Sequence, residues 1–189
     1  MQVNQKYCHT LPDRYPEIFS EVQSILPNPR SILSFGCSYR LECESLQEKY
    51  FPDVKQVGFD INPGVIYHNK RTNKYPNIHY TDDIDSLNCE FDLVFAMSVL
   101  CRWSTGDNLS YKFNIFEETL DVIDQFVAEN GYLCIYNSTY LFTDSRISSK
   151  YQAIDTKHQE TGFVTKYDPS QQKQITNYPY YLFQKIQNI

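Results

Sequence analysis

Ser31-Ile32-Leu33-Ser34-Phe35-Gly36-Cys37-Ser38 opens the stretch whose reading decides the fold, and Gln56-Val57-Gly58-Phe59-Asp60 closes it. The first five residues have the apolar character of a short buried strand, and Gly36-Cys37-Ser38 reads as the tight turn leaving it. Residues 41–50 read as a helix and 56–60 as a second strand, so residues 30–63 make one βαβ unit. Such a unit carries chemistry by its geometry. The turn presents backbone N–H groups at a helix N-terminus, and an acid at the tip of the second strand can accept both hydroxyls of a ribose. The expected ligand is a cofactor that bears a nucleoside.

Outward from this unit the pattern repeats. Upstream, Tyr15, Ile18, Phe19, Val22 and Ile25 recur at helical spacing over residues 14–26, and Pro27-Asn28-Pro29 ends the run. Downstream, Pro63 suits the first turn of a helix running to about residue 71, where its missing N–H is no loss. Residues 77–80 form a third strand, followed by Thr81-Asp82-Asp83, and the nearly all-apolar 91–97 a fourth, buried on both faces. The spacing predicts a long helix over about 111–130, with Phe113, Phe116, Leu120, Ile123 and Val127 on one face and Gly131 as its stop. Residues 131–136 are the fifth strand, and 162–167 and 180–185 are two further strand candidates. Five parallel strands place the ligand crevice outside their carboxyl ends. That gathers Gly36, Asp60, Asp82, Asp83, Met97 and Asn137 around one opening.

Four of these pieces, Ile32 to Ser38, Val57 to Pro63, Phe91 to Met97 and Ala128 to Ile135, resemble in order and spacing the successive motifs of the class I S-adenosylmethionine-dependent methyltransferases. The resemblance covers about residues 30–136. It implies an α/β fold: one doubly wound, Rossmann-like methyltransferase domain over residues 1–189, with a mostly parallel sheet and a C-terminal antiparallel hairpin formed by 162–167 and 180–185. Within it, 1–29 would be an N-terminal helical segment, 30–137 the cofactor-binding core, and 138–189 the C-terminal strands and acceptor-side loops. The implied cofactor is S-adenosylmethionine and the implied activity methyl transfer to a small-molecule acceptor.

The resemblance also distributes roles. Gly36, Cys37 and Ser38 form the cofactor turn. Asp60 takes the ribose hydroxyls, against the plainer reading that Asp60 or Asn62 merely caps the next helix. Glu42 holds the α-amino group, or is only a first-turn acid favoured by the helix dipole. Asp83, with Asp82 beside it, caps the adenine N6 amino group, or makes an ordinary Asx turn. Ile61 offers adenine an apolar face, and Met97 ends the fourth strand at the crevice. On the acceptor side, Arg102, Trp103, Tyr111, Tyr140 and Tyr39 line an aromatic pocket with a cation available for an anionic acceptor. With 16 tyrosines and 12 phenylalanines in the chain, aromatic residues near any site are also expected by chance. No catalytic base is identified: His9, His68, His79 and His158 are scattered and read as scaffold or surface groups, with His158 in a loop able to approach the crevice.

Three positions depart from the family pattern. Ser34 stands where an acid is usual, and Ser38 and Arg40 where glycines are usual. Arg40 leaves three readings open, because a non-glycine residue seldom adopts positive φ: an altered loop path, an arginine turned outward, or a site that no longer binds cofactor. Two alternatives follow. One is a catalytically inactive methyltransferase-like binding or partner subunit. The other, disfavoured by the lack of G-x-G-x-x-G spacing, is an NAD-dependent oxidoreductase.

Composition narrows the classes further. The 189 residues carry a net charge of −6 and no basic cluster beyond Lys70-Arg71, which disfavours extended binding to nucleic acid. The six cysteines lack C-x-x-C spacing, so no metal site is expected and reduced thiols in a cytoplasmic protein are the expectation. No stretch approaches the roughly 20 apolar residues of a membrane span, and residues 1–10 lack a signal-peptide core.

Overall fold

Alternation along the strands decides which helix covers which face of the sheet. A computed structural model describes residues 10–102, 110–174 and 177–186. Its strands β1 (Ser31–Phe35), β2 (Lys55–Phe59), β3 (Ile78–Thr81), β4 (Phe91–Met97) and β5 (Val127–Tyr136) are parallel, and β6 (Tyr151–Ala153) and β9 (Leu182–Lys185) complete a seven-stranded sheet in the order β3-β2-β1-β4-β5-β9-β6. Ile32, Leu93, Phe95, Met97 and Cys134 point to one face, where helix α1 (Pro16–Ile25) lays Ile18, Phe19 and Val22 on them. Their neighbours Leu33, Val94, Ala96, Leu133 and Ile135 point the other way and meet Phe116, Leu120 and Ile123 of α4 (Phe113–Asp124). A period of two in the strands and of 3.6 in the helices builds both layers.

The helix after β1 is short. α2 (Leu41–Ser45) gives way to one π-helical turn, Leu46–Tyr50, closed by the Phe51 N–H on the Leu46 carbonyl at 2.7 Å. α3 (Pro63–Thr72) starts on Asn62, whose side chain accepts from the Gly64 and Val65 N–H groups, with Pro63 in the first turn as expected. Among the described residues, no helix is long and apolar enough to cross a membrane.

Two expectations are corrected. The helix predicted to reach residue 130 stops at Asp124, because Val127 pairs with Phe91 and begins β5. The strand then loops out before Tyr132 pairs with Leu93. Asn130 sits there at φ 61°, and a Cβ on Gly131 would lie 2.8 Å from the Ala128 carbonyl oxygen. The Asn-Gly pair is thus a turn inside the strand and not a helix stop. At the C-terminus, β9 is antiparallel to both of its partners, but these are β5 and β6 and not residues 162–167. Lys166–Tyr167 (β7) instead pairs with Lys173–Gln174 (β8) in a separate two-stranded sheet.

Candidate functional site

The β1–α2 turn is shaped largely by bonds that its own N–H groups make. Gly36 and Cys37 both donate to the Phe59 carbonyl, at 2.7 and 2.9 Å, and Ser38 N–H donates to Asp60 Oδ2 at 2.9 Å. The expectation of a cradle of free N–H groups is therefore corrected, since these donors are spent on β2 and on Asp60. Gly36 is required twice over: its φ is +78°, and a Cβ there would lie 2.4 Å from Val99 Cγ2 of the loop after β4. The Cys37 side chain points away from the crevice into a core shared with Cys43, Ile66, Ile78 and Tyr80.

Asp60 follows β2 and reaches back across the turn. Oδ1 accepts from Asn62 N–H at 2.9 Å and Oδ2 from Ser38 N–H, leaving lone pairs on both oxygens. Burial pushes its pKa up, and the two backbone bonds oppose that shift. Helix capping falls to Asn62, so Asp60 is not the cap. Ile61 beside it is half-buried.

Glu42 lies in the first turn of α2. Ser34 Oγ donates to its Oε1 at 2.7 Å, so a carboxylate from α2 arrives beside the position at which the resembling family keeps its acid. Burial pushes its pKa up to about 7, against the Ser34 bond and the attraction of Arg14. No ion pair to Glu42 forms among the described residues within 4.0 Å.

The opposite bank of the crevice is a polar chain that sequence reasoning largely missed. Ser98 after β4 and Asn137 after β5 both take left-handed backbone, at φ 58° and 59°. Ser98 Oγ is 2.6 Å from Tyr15 OH and accepts from Asn137 Nδ2 at 2.7 Å. Asn137 Oδ1 accepts from Val164 N–H at 3.0 Å, while Asn137 N–H donates to Glu160 Oε1. Glu160 pairs through Oε2 with Lys166 Nζ, and both side chains are buried. Burial lowers the pKa of Lys166, and Glu160 opposes it. Gly162 lies so close to Asn137 that a Cβ would sit 2.5 Å from its Cα. Above this chain Arg14 stacks on Tyr15 at 5.2 Å and on Phe163 at 5.4 Å. Left-handed non-glycine residues at two strand ends mark the site structurally, and Asn137, an Asn after a buried strand, carried an advance signal. Glu160 and Lys166 carried none.

The remaining expected residues scatter. Asp82 is exposed, and Asp83 caps a 3-10 turn, Ile84–Ser86, through the Asp85 N–H at 3.1 Å. The Met97 side chain is core, 3.9 Å from Cys134 Sγ. Tyr111 and Tyr140 do not line an opening, which corrects their assignment to an acceptor pocket: they are 2% and 0% exposed, Tyr140 OH donates to the Tyr111 carbonyl at 2.6 Å, and Tyr140 packs on Phe113 and Phe116. Arg102 is half-buried and reaches the Ser110 carbonyl at 3.3 Å, and Trp103 lies outside the described residues. Tyr39 is exposed and stands edge-on to His68. His158 bonds to Glu21 on α1, bordering an open groove of about 850 Å3 that none of the expected cofactor or acceptor residues lines.

The sequence over residues 7–180 matches the family described as methyltransferase domain, so the chain belongs to that family. No curated protein matches it. In fold it is similar to the putative methyltransferase yhhF from Escherichia coli, at 12% identity and a TM-score of 0.59, over 93% of this chain and 86% of that one. It is also similar to human N-acetylserotonin methyltransferase in complex with SAM, at 18% identity and a TM-score of 0.50, over 69% of this chain and 35% of that one. A third similar structure is SAM-bound CalS10, an amino pentose methyltransferase from Micromonospora echinaspora, at 16% identity and a TM-score of 0.48, over 79% of this chain and 58% of that one. The chain thus spans less than two thirds of the length of the last two. The family's cofactor, S-adenosylmethionine, fits the residues present: Ser38 Oγ is buried with no hydrogen-bond partner among the described residues, and the Glu42 carboxylate is held beside the turn with a pKa raised to about 7.

Proposed function

We propose that this member of the methyltransferase domain family transfers a methyl group from S-adenosylmethionine to a small-molecule acceptor. The observation that carries the reading is Glu42. A carboxylate raised to about 7 by burial, beside the Gly36 turn and held by Ser34, is suited to a cationic ligand group such as an α-ammonium. Asp60, with lone pairs left on both oxygens, is suited to two ribose hydroxyls. When bound, the cofactor supplies an electrophilic methyl on a sulfonium, and the protein's task is alignment.

On the acceptor side, Tyr15 is pushed up to about 12 by burial, so it serves as a hydrogen-bond donor and not as a base at neutral pH. The chain from Tyr15 through Ser98 and Asn137 to Glu160 and Lys166 fixes that bank. A small acceptor is favoured by the net charge of −6, which suits a phosphate backbone poorly. It also agrees with the name of one fold neighbour, N-acetylserotonin methyltransferase. The alternative of a non-catalytic binding subunit rested on Arg40, whose side chain is drawn away from the strand ends to Thr72, the last residue of α3.

The test is proton linkage. Ion pairing drives Glu42 to its ionised form, so S-adenosylhomocysteine binding near pH 7 should release roughly half a proton. Calorimetric titration in buffers of different ionisation enthalpy reads this directly. Glu42→Gln should remove the release and weaken binding. Unchanged affinity and proton count in that variant would sink the reading.

A further inference from the structure

After Gly36 the turn holds Ser38 at φ 51° and Arg40 at φ 53°, a left-handed path that glycine takes freely and other residues resist. Something outside the turn must therefore impose it. The bonds lead to one place, the face of α3. Asn69, fully buried, donates from Nδ2 to the Ser38 carbonyl at 2.7 Å. Arg40 NH1 donates to Thr72 Oγ1 at 2.7 Å and lies 3.2 Å from His68 Nε2, while its Nε donates to Glu44 Oε1 at 2.8 Å. Thr72 Oγ1 in turn donates to the His68 carbonyl at 2.9 Å, which orients it to accept from Arg40. Asn69 makes its bond although its own Oδ1 is buried with no partner among the described residues, a cost that a purely packing residue would not carry.

We propose that Asn69, Arg40 and Thr72 are positioning residues, through which α3 imposes on the cofactor turn the left-handed shape that glycines would otherwise supply. Arg40 is then a strut. The consequence is mechanical coupling. α3 begins three residues beyond Asp60, so one helix carries the loop of the ribose-side acid and also fixes the turn on the methionine side. Ser38 N–H on Asp60 ties the two loops at the crevice, and Arg40 ties them about one helix length away. The inference rests on the reading of this turn as the S-adenosylmethionine site.

The test uses the full chain with Arg40→Gln, Arg40→Gly and Thr72→Val. Two readouts are taken: the S-adenosylhomocysteine dissociation constant by calorimetry, and amide hydrogen exchange over residues 38–41 without ligand. Arg40→Gln keeps the backbone strain and loses the strut, so its dissociation constant should rise about tenfold. Arg40→Gly regains the backbone freedom and should rise less, and Thr72→Val about threefold. At saturating S-adenosylmethionine, turnover should be unchanged while KM rises, a split that general destabilisation does not give. Exchange at 38–41 should quicken in Arg40→Gln with β5 protection unaltered. Wild-type exchange and affinity in both Arg40→Gln and Thr72→Val would overturn the proposal, as would tighter binding by Arg40→Gly, which would make the arginine an obstruction. Absence of binding by the wild-type protein would fault the cofactor reading, while the exchange experiment would still decide whether α3 shapes the turn.

Discussion

The two banks of the crevice are held together in different ways. On the cofactor bank the decisive contacts join residues close in the chain: Ser34 to Glu42 across 8 positions and Ser38 to Asp60 across 22. On the opposite bank, the one proposed for the acceptor, Tyr15 meets Ser98 across 83 positions, and Asn137 meets Val164 across 27. The first bank is one βαβ unit together with the α3 helix that follows it, a single continuous run of chain from β1 to Thr72. The second is assembled from the N-terminal segment, two strand ends and the C-terminal third, and a buried ion pair anchors it. A shared cofactor calls for the first arrangement, whereas a particular acceptor needs a bank that can be rebuilt without disturbing the cofactor turn.

If that contrast is right, breaking the anchor should cost stability before it costs cofactor affinity. Glu160→Ala leaves the Lys166 ammonium buried without its partner, and a loss of about 3–5 kcal/mol is expected in chemical denaturation. The double variant Glu160→Leu with Lys166→Met should recover the part due to the unpaired charge, while the Asn137 N–H and the Ser138 carbonyl still lose their partners. Equal cofactor weakening in both variants would mean that the banks are not separable.

On the cofactor bank, Asp60→Ala should lower S-adenosylhomocysteine affinity by about 100-fold, since hydrogen bonds to a charged acceptor contribute roughly 1.5–3 kcal/mol each. Because Asp60 also receives the Ser38 and Asn62 N–H groups, a stability loss of about 1–3 kcal/mol accompanies it. A folded variant with wild-type affinity would contradict the ribose role.

Glu42 sets the pH dependence of the ligand-free protein. Its folded pKa of about 7 lies above its ordinary value of 4.5, so between those values the folded state binds more protons than the unfolded one. Stability should therefore fall as pH rises from about 5 to 8, by about 1–3 kcal/mol, and level off above that range. Glu42→Gln should flatten the slope, as should a saturating cationic ligand. A slope that persists in the variant assigns the effect to another group.

The smallest effect is expected at Tyr140. Tyr140→Phe removes one buried bond to the Tyr111 carbonyl and should cost about 1 kcal/mol or somewhat more, with KM for either substrate unchanged. A raised acceptor KM would return Tyr140 to the acceptor pocket.

The same contrast explains what could be read in advance. β1, the Gly36 turn, β2 with its terminal acid, and β4 over 91–97 are legible because each depends on neighbours in sequence and on a period of two. The loop-out at 128–131 was hidden by apolar Phe126 and Val127, which continue the helical spacing of α4 although Val127 already pairs with Phe91. Tyr111 and Tyr140 look like pocket residues in a chain rich in aromatics, but the Tyr111 ring packs on Tyr140, and the Tyr140 ring on Phe113 and Phe116. Arg40 was legible as an anomaly and not as a strut, because its partners His68 and Thr72 are about 30 positions away. Glu160 and Lys166 stand six positions apart with no periodic pattern, and only folding around Asn137 gives them a common role.

Parallel calorimetric titration of the wild-type protein with S-adenosylmethionine, S-adenosylhomocysteine and NAD tests the central claim most directly. The account predicts that the two sulfur-containing nucleosides bind at a single common site, with proton release that depends on Glu42, and that NAD gives no heat of binding. Binding of NAD in their place, or no binding of any of the three, would contradict it.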